Sequence, residues 1–183
     1  VESASGVHTL TLYTRDGAVP LCGVTMGKAD FAAASLPALT DKAELVSAPL
    51  TIGGKTCTVT CLSVGNPHCV VFDDRIDALD LETLGPQFEH APIFPERINT
   101  EFVRVVNRNM LKMRVYERGN GETPACGTGA CAAVAAAVRL GLCAADEDVT
   151  VKVRGGDLVV RVSEQGITLT GETGLVFEGV VYA

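Results

Sequence analysis

The 183 residues contain no tryptophan, and aromatic side chains make up only 5% of them. A core without large rings must be assembled from Val, Leu, Ile and Ala, and a hydrophobic content of 47% can supply it. Cationic charge is also scarce: 15 Lys and Arg face 22 Asp and Glu, for a net charge of -7. The densest basic stretch (Arg104, Arg108, Lys112, Arg114) alternates with apolar positions, as the wet face of strands does. Phosphate binding needs clustered cations, so a nucleic-acid partner is not expected. The longest apolar run, residues 130–138, falls far short of the roughly 20 residues of a spanning helix, so no membrane partner is expected either. The opening VESASGVHTLTLY shows no basic start followed by an apolar run, as a secretory signal would. None of the seven cysteines forms a C-x-x-C pair, which argues against a zinc ribbon or a disulfide framework. Reduced thiols in a cytoplasmic protein are the expectation.

What is present is mostly β pattern. Alternation over residues 7–12 marks a strand, and Asp16-Gly17 is a turn signal that closes a hairpin onto residues 19–26. Residues 27–49 dissolve into Ala, Ser and Pro and read as a connector. Strands are predicted at 50–52, 56–64, 69–72, 99–106, 110–117, 149–153, 158–162, 167–170 and 175–182. Residues 77–90 have helical spacing, with Gly85-Pro86 as an interruption. The strong helix is 128–140, TGACAAVAAAVRL, ending at Gly141. It is small and apolar around its whole circumference, so it must be buried on all sides. The predicted fold class is therefore α+β, a curled, mostly antiparallel sheet wrapped around a central buried helix.

The most informative segment runs E-R-G-N-G-E-T-P-A-C-G-T-G from Glu117 to Gly129. It places the Cys126 thiol immediately before the buried helix. The first turn of a helix presents unpaired N–H groups and a partial positive charge, favouring a thiolate at Cys126 and a carboxylate bound at Gly127, Thr128 and Gly129. A bare C-G-T-G is more often a tightly packed helix start. The polar residues just upstream shift the balance, since a purely structural turn does not require them. Two further segments carry less by themselves: G-N-P-H-C with Asn66 and His68, and F-P-E-R-I-N-T with Asn99. An Asn-Pro turn accounts for the first.

Together, G-N-P-H-C, E-R-I-N-T-E-F and E-R-G-N-G-E-T-P-A-C-G-T-G-A-C-A-A resemble the diaminopimelate epimerase family in order and spacing, from Val1 to the end of the chain. The resemblance implies two similar domains, each a curled sheet around a helix, meeting at a cleft. It also implies epimerisation of LL-diaminopimelate to the meso isomer without cofactor or metal, by one cysteine removing the α-proton and a second returning one from the other face. Carried over, Cys126 is one of that pair. Gly127 and Thr128 bind the α-carboxylate, Glu117 and the Arg118 backbone hold the α-ammonium, and Asn66, Asn99 and the Arg118 guanidinium hold the distal end. His68 and Glu117 tune the cysteines. The expected organisation is 1–27 as remnant strands of an opening domain, 28–171 as the C-terminal epimerase domain, and 172–183 as a strand returning toward the opening domain. The family's second cysteine, in a C-G-N-G-type motif, has no match here. The chain is thus expected to be a portion lacking the opening domain, with that domain as its natural partner and no epimerisation alone. The family's frequent homodimer is a further expected partner, though no interface is legible. Where the family pattern has an aliphatic residue after Asn99, this chain has Thr100.

Three other readings remain open at this level. A proline racemase-like enzyme shares the C-G-T-G helix start but not the long approach to it. A cysteine hydrolase would pair Cys126 with His68, leaving residues 117–123 without a role. A non-catalytic half-domain would bind amino acids or assemble with a partner.

Overall fold

The computed structural model describes residues 1–3 and 6–181. The chain begins with a small ribbon, β1 (Glu2–Ser3) against β2 (Gly6–Val7). The hairpin of β3 (Leu10–Arg15) and β4 (Ala18–Thr25) follows, turned at Asp16-Gly17 as the sequence predicts. After the connector come β5 (Ala48–Ile52), β6 (Lys55–Ser63), β7 (Pro67–Phe72) and helix α1 (Leu81–Glu89). Next are β8 (Asn99–Asn107), β9 (Met110–Glu117), the short β10 (Gly121–Thr123) and helix α2 (Gly127–Arg139). The last strands are β11 (Asp148–Val153), β12 (Gly156–Ser163) and β13 (Gly166–Glu172).

Among the described residues, β3 to β13 form one eleven-stranded sheet in the order β3-β4-β13-β12-β11-β9-β8-β7-β6-β5, with β10 paired to β9. Its pairings are antiparallel except β7 with β8 and β9 with β11. Each parallel pair spans a stretch containing a helix, as parallel strands require a crossover.

The sheet curls around α2, which packs against β6, β7, β8, β9, β11, β12 and β13. Residues 129–137 of α2 are buried throughout, in one core with Leu62, Val70, Val103, Leu111, Val149, Val160 and Ile167. Small side chains let seven strands approach a single helix. Its C-terminus ends in a Schellman motif, with Leu142 N–H donating to Ala137 C=O at 2.8 Å and Gly141 N–H to Val138 C=O at 3.0 Å. A second core lies on the outer face of β5–β9, under α1 and the connector, and contains Leu36, Leu45, Phe88, Phe94, Phe102 and Tyr116. Strand β8 is consequently buried on both faces over residues 99–103.

The sequence prediction lacks β1 and β10, and the strand it places at 7–12 is divided between β2 and β3. Helix α1 begins later than residue 77 and runs through Gly85-Pro86 rather than stopping there. Asp80 caps it by accepting from the Thr83 N–H, and Gly85 lets the Tyr116 ring pack onto the helix, so packing offsets the hydrogen bond that Pro86 cannot make. The strand predicted at 175–182 does not form over 175–181. These residues lie beyond the end of β13, with Leu175, Val176, Phe177, Val180 and Val181 exposed and no neighbouring strand among the described residues. A strand without a partner has unpaired backbone groups and no reason to stay extended. Tyr182 and Ala183 lie outside the described residues. No helix of the described residues is long and apolar enough to cross a membrane.

Candidate functional site around Cys126

Cys126 is the N-cap of α2, in extended conformation, with its sulfur rather than an oxygen as the capping acceptor. The Gly129 N–H donates to Sγ at 3.3 Å, and Thr128 Oγ1 lies 3.4 Å from it. Gly129 cannot carry a side chain here. A Cβ would stand 2.8 Å from Glu101 Oε1 and 3.2 Å from Cys126 Cβ. The second glycine of C-G-T-G is therefore the space through which a carboxylate and a thiol approach the same helix turn.

The helix terminus does not by itself produce a thiolate. Burial is the largest influence on Cys126 and pushes its pKa up; the Thr128 and Gly129 hydrogen bonds pull it down, and the Glu101 and Glu117 carboxylates push it up again. The net direction is upward, which corrects the expectation from the helix dipole alone. Desolvation of a charge outweighs a half-charge at a helix end. Cys126 rests as a thiol.

A chain of contacts leads from this sulfur into β7 and β8. Asn66 Nδ2 donates to Thr128 Oγ1 at 3.3 Å, and Asn66 Oδ1 faces His68 Nε2 at 3.0 Å. His68 Nδ1 lies 2.7 Å from Glu101 Oε1, and both of these side chains are fully buried. His68 makes no hydrogen bond to Cys126, since both its ring nitrogens are engaged elsewhere. A cysteine hydrolase built on that pair has no geometric support. Glu101 was not singled out from the sequence. Alternation placed it in a strand with nothing to mark it, and only the burial of both faces of β8 gives it significance.

The approach segment is held from below. Asn99 Oδ1 accepts the Arg118 N–H at 2.9 Å, and Asn99 Nδ2 donates to the Pro67 C=O at 2.9 Å. Its amide is thus spent on joining the two motif segments. The Arg118 guanidinium donates to the Glu96 C=O at 3.1 Å. Glu89, at the end of α1 and buried, accepts the Gly119 N–H at 2.8 Å. Thr123 donates its hydroxyl to Glu117. Asn66, His68, Asn99, Glu117, Arg118, Gly127, Thr128 and Cys126 are thereby gathered at one end of α2. A cavity of about 690 Å³ opens beside Asn66 and Thr128, with His8, Lys28 and Gln165 on its other walls. Thr128 and Asn66 reach its lining, and Cys126 sits behind them. Among the described residues no group of three or more His, Cys, Asp or Glu is arranged to hold a metal ion.

Known proteins share this chain's sequence and shape. It is 45% identical over 183 residues to the diaminopimelate epimerase of Acetivibrio thermocellus, covering 99% of this chain and 65% of that protein. With the diaminopimelate epimerase of Nostoc punctiforme it shares 46% identity, over 98% of this chain and 63% of that protein. The chain thus spans a little under two thirds of these relatives' length. In shape it resembles a probable proline racemase from Agrobacterium radiobacter, with TM-score 0.69 and 14% identity, covering 100% of this chain and 59% of that one. It also resembles a hydroxyproline epimerase from Agrobacterium vitis, with TM-score 0.66 and 16% identity, covering 93% of this chain and 55% of that one. At such identities the likeness is one of fold alone. The family model described as diaminopimelate epimerase matches residues 60–176, the stretch that holds every segment converging on Cys126. The chain belongs to the diaminopimelate epimerase family.

Proposed function

We infer that this chain supplies one of two opposed proton-transfer groups of an amino-acid epimerase that interconverts LL- and meso-diaminopimelate without a cofactor, and that Cys126 is that group. The observation that carries the reading is the capping sulfur of Cys126 at the start of a buried helix, between the Gly129 N–H and the Thr128 hydroxyl. An amino acid's α-proton is very weakly acidic. Its removal requires stabilising the charge that develops on the carboxylate, and backbone N–H groups at a helix start do this without reorganising. Gly127 and Thr128 are the donors on this reading. Glu117, beside them, takes the α-ammonium, and Asn66 and Arg118 take the distal end. Asn99 contributes by holding the Arg118 backbone.

Inversion needs groups on both faces of the α-carbon. Among the described residues no other cysteine heads a helix: α1 is capped by Asp80, Cys22 and Cys57 lie within β4 and β6, and Cys61, Cys69, Cys131 and Cys143 are buried in the cores. On this reading the second group is the other cysteine of the family pattern, which has no match in these 183 residues, and the chain alone does not epimerise. As a thiol at rest, Cys126 is set to return a proton, and it must be relieved of its own before it can remove one.

The test is incubation with LL-diaminopimelate in deuterated water, with the α-proton followed by NMR. The chain alone should leave the signal intact, while a protein extended to the full length of its relatives should exchange and invert it. Deuterated meso product from the 183-residue chain alone would sink the half-site reading. Absence of exchange in the extended protein would sink the epimerase reading itself.

A further inference from the structure

Cys61 on β6 and Cys69 on β7 stand directly opposite each other across an antiparallel pairing. Both are free thiols, fully buried in the outer core with Leu45, Ile76, Phe102 and Tyr116. Backbone directions tell what kind of pair they form. The Cys61 N–H donates to the Leu45 C=O at 2.8 Å. Ser63 exchanges two hydrogen bonds with Asp30, its N–H donating at 2.7 Å and its C=O accepting at 2.9 Å. Both residues therefore turn their backbone groups away from β7. The Ser63–Pro67 pair agrees, since proline has no N–H to offer β6. Hydrogen-bonded and open pairs alternate along an antiparallel ladder, so the bonds between β6 and β7 fall at Thr60–Val70 and Leu62–His68. Cys61–Cys69 is an open pair.

Open pairs bring the Cα atoms to about 4.5 Å and the side chains closest together. That separation lies within the range of about 4.4–6.8 Å that a disulfide bridges. The closeness is also visible at the sulfurs: the Cys61 thiol, and after it burial, holds the Cys69 thiol well above its ordinary range. Cys57, on the same face of β6, is partly buried. It lies four residues from Cys61, about 13 Å along a strand, which no disulfide spans.

We propose that Cys61 and Cys69 are a modification site, a dithiol that a hydroperoxide oxidises to a cross-strand disulfide. One sulfur attacks the peroxide, breaking its O–O bond and becoming a sulfenic acid, and the other sulfur displaces water from it. Two S–H bonds are lost and one S–S bond forms. With hydrogen peroxide, the two electrons and two protons end in two molecules of water. Strand β6 lies next to the edge strand β5, whose local opening admits a small uncharged oxidant. The link joins the arms of the hairpin whose turn carries Asn66 to Thr128, so it staples one wall of the site. The pair stands apart from Cys126, whatever chemistry that thiol performs.

The test is exposure of the folded 183-residue chain to excess hydrogen peroxide, followed by acid quenching, alkylation of the remaining thiols in denaturant, and tryptic digestion. Cys57, Cys61 and Cys69 fall in one peptide, residues 56–75, while Cys126 and Cys131 fall in another. Peptide 56–75 should lose two hydrogens and keep a single alkyl group, placed on Cys57 by fragmentation. In chain unfolded by urea before oxidation the linkage should spread over all three pairings, because no strand register selects among them. Three alkylated cysteines in the folded chain, a link through Cys57, a bridge to another peptide, or sulfinic acid in place of the link overturns the proposal. A second measurement separates a link made in the native hairpin from one made in damaged chain. Hydrogen exchange at the Thr60, Leu62 and Val70 amides should slow in the oxidised protein, and unchanged or faster exchange there also overturns it. Neither readout involves turnover, so failure of the epimerase reading would be seen separately.

Discussion

The ring of Tyr116 occupies the place where a side chain on Gly85 would stand: a Cβ there would lie 2.1 Å from Tyr116 Cδ2. This contact lets α1 lie close on β9 and hold the segment that follows Tyr116. Ala is worth up to about 1 kcal/mol over Gly in a helix interior, but overpacking costs about 1–3 kcal/mol, and the backbone and ring atoms here have little freedom to yield. We expect Gly85→Ala to lower stability despite its better helix propensity, as read by chemical denaturation. A stabilised variant would mean that Tyr116 moves freely.

Asn99 joins two motif segments by donating a buried hydrogen bond to the Pro67 C=O and accepting a partly buried one from the Arg118 N–H. Replacement by Ala leaves a donor and an acceptor unmatched, each worth about 1–3 kcal/mol when buried. Asn99→Ala should lower stability and speed hydrogen exchange at the Arg118 amide. Unchanged exchange there would show that the loop is held by Glu89 alone.

Arg114 lies under the sheet's outer face and donates to Glu122 and to the Ile76 and Leu79 carbonyls. The side chains of Arg114 and Glu122 are 15% and 8% exposed. Arg154 also reaches Glu122 Oε1, at 2.9 Å, and remains when Arg114 is removed, so Arg114→Ala should cost about 1–3 kcal/mol through the acceptors it leaves unmatched. Lys112→Ala, which breaks a half-exposed pair with Asp77, should stay within about 1 kcal/mol. Equal effects in urea denaturation would contradict this ordering.

Burial pushes the Cys131 thiol up to about 12, and Cys69, Cys126 and Cys143 are also raised. In the unfolded chain a thiol ionises near about pH 8.5. Between that value and about 12, the folded state keeps a proton on Cys131 that the unfolded state has lost, so stability falls as pH rises through this window. Below it that stability is fully present and does not vary with pH. Cys131→Ala should flatten the alkaline slope of denaturation midpoint against pH, and an unaltered slope would assign it elsewhere.

The buried helix was legible because the ten residues 129–138, all small or apolar, leave it no wet face, and the site's outline was legible because its segments carry unusual residue types. The hairpin around Asp16-Gly17 followed from turn chemistry. Glu101 and Glu89 were not legible. A carboxylate in an alternating strand or at a helix end normally faces water; α1 on one side of β8 and α2 on the other make Glu101 interior, and Glu89 is buried at the end of α1 where it accepts the Gly119 N–H. The continuation of α1 through Pro86 depended on Tyr116, distant in sequence. The missing strand over 175–181 shows the reverse case, in which good β composition meets no partner edge.

Strand β4 pairs with β13, so Leu21 lies opposite Glu172 and Thr25 opposite Thr168. The hairpins β3–β4 and β12–β13 each close between near neighbours, but their seam joins the first part of the chain to the last. In folding, that seam must wait until the polypeptide has completed its circuit around α2, since its closure entropy is the largest of any strand pairing here. By chain entropy it is the last pairing to shut, and it lies in the same wall as the open cavity beside Thr128.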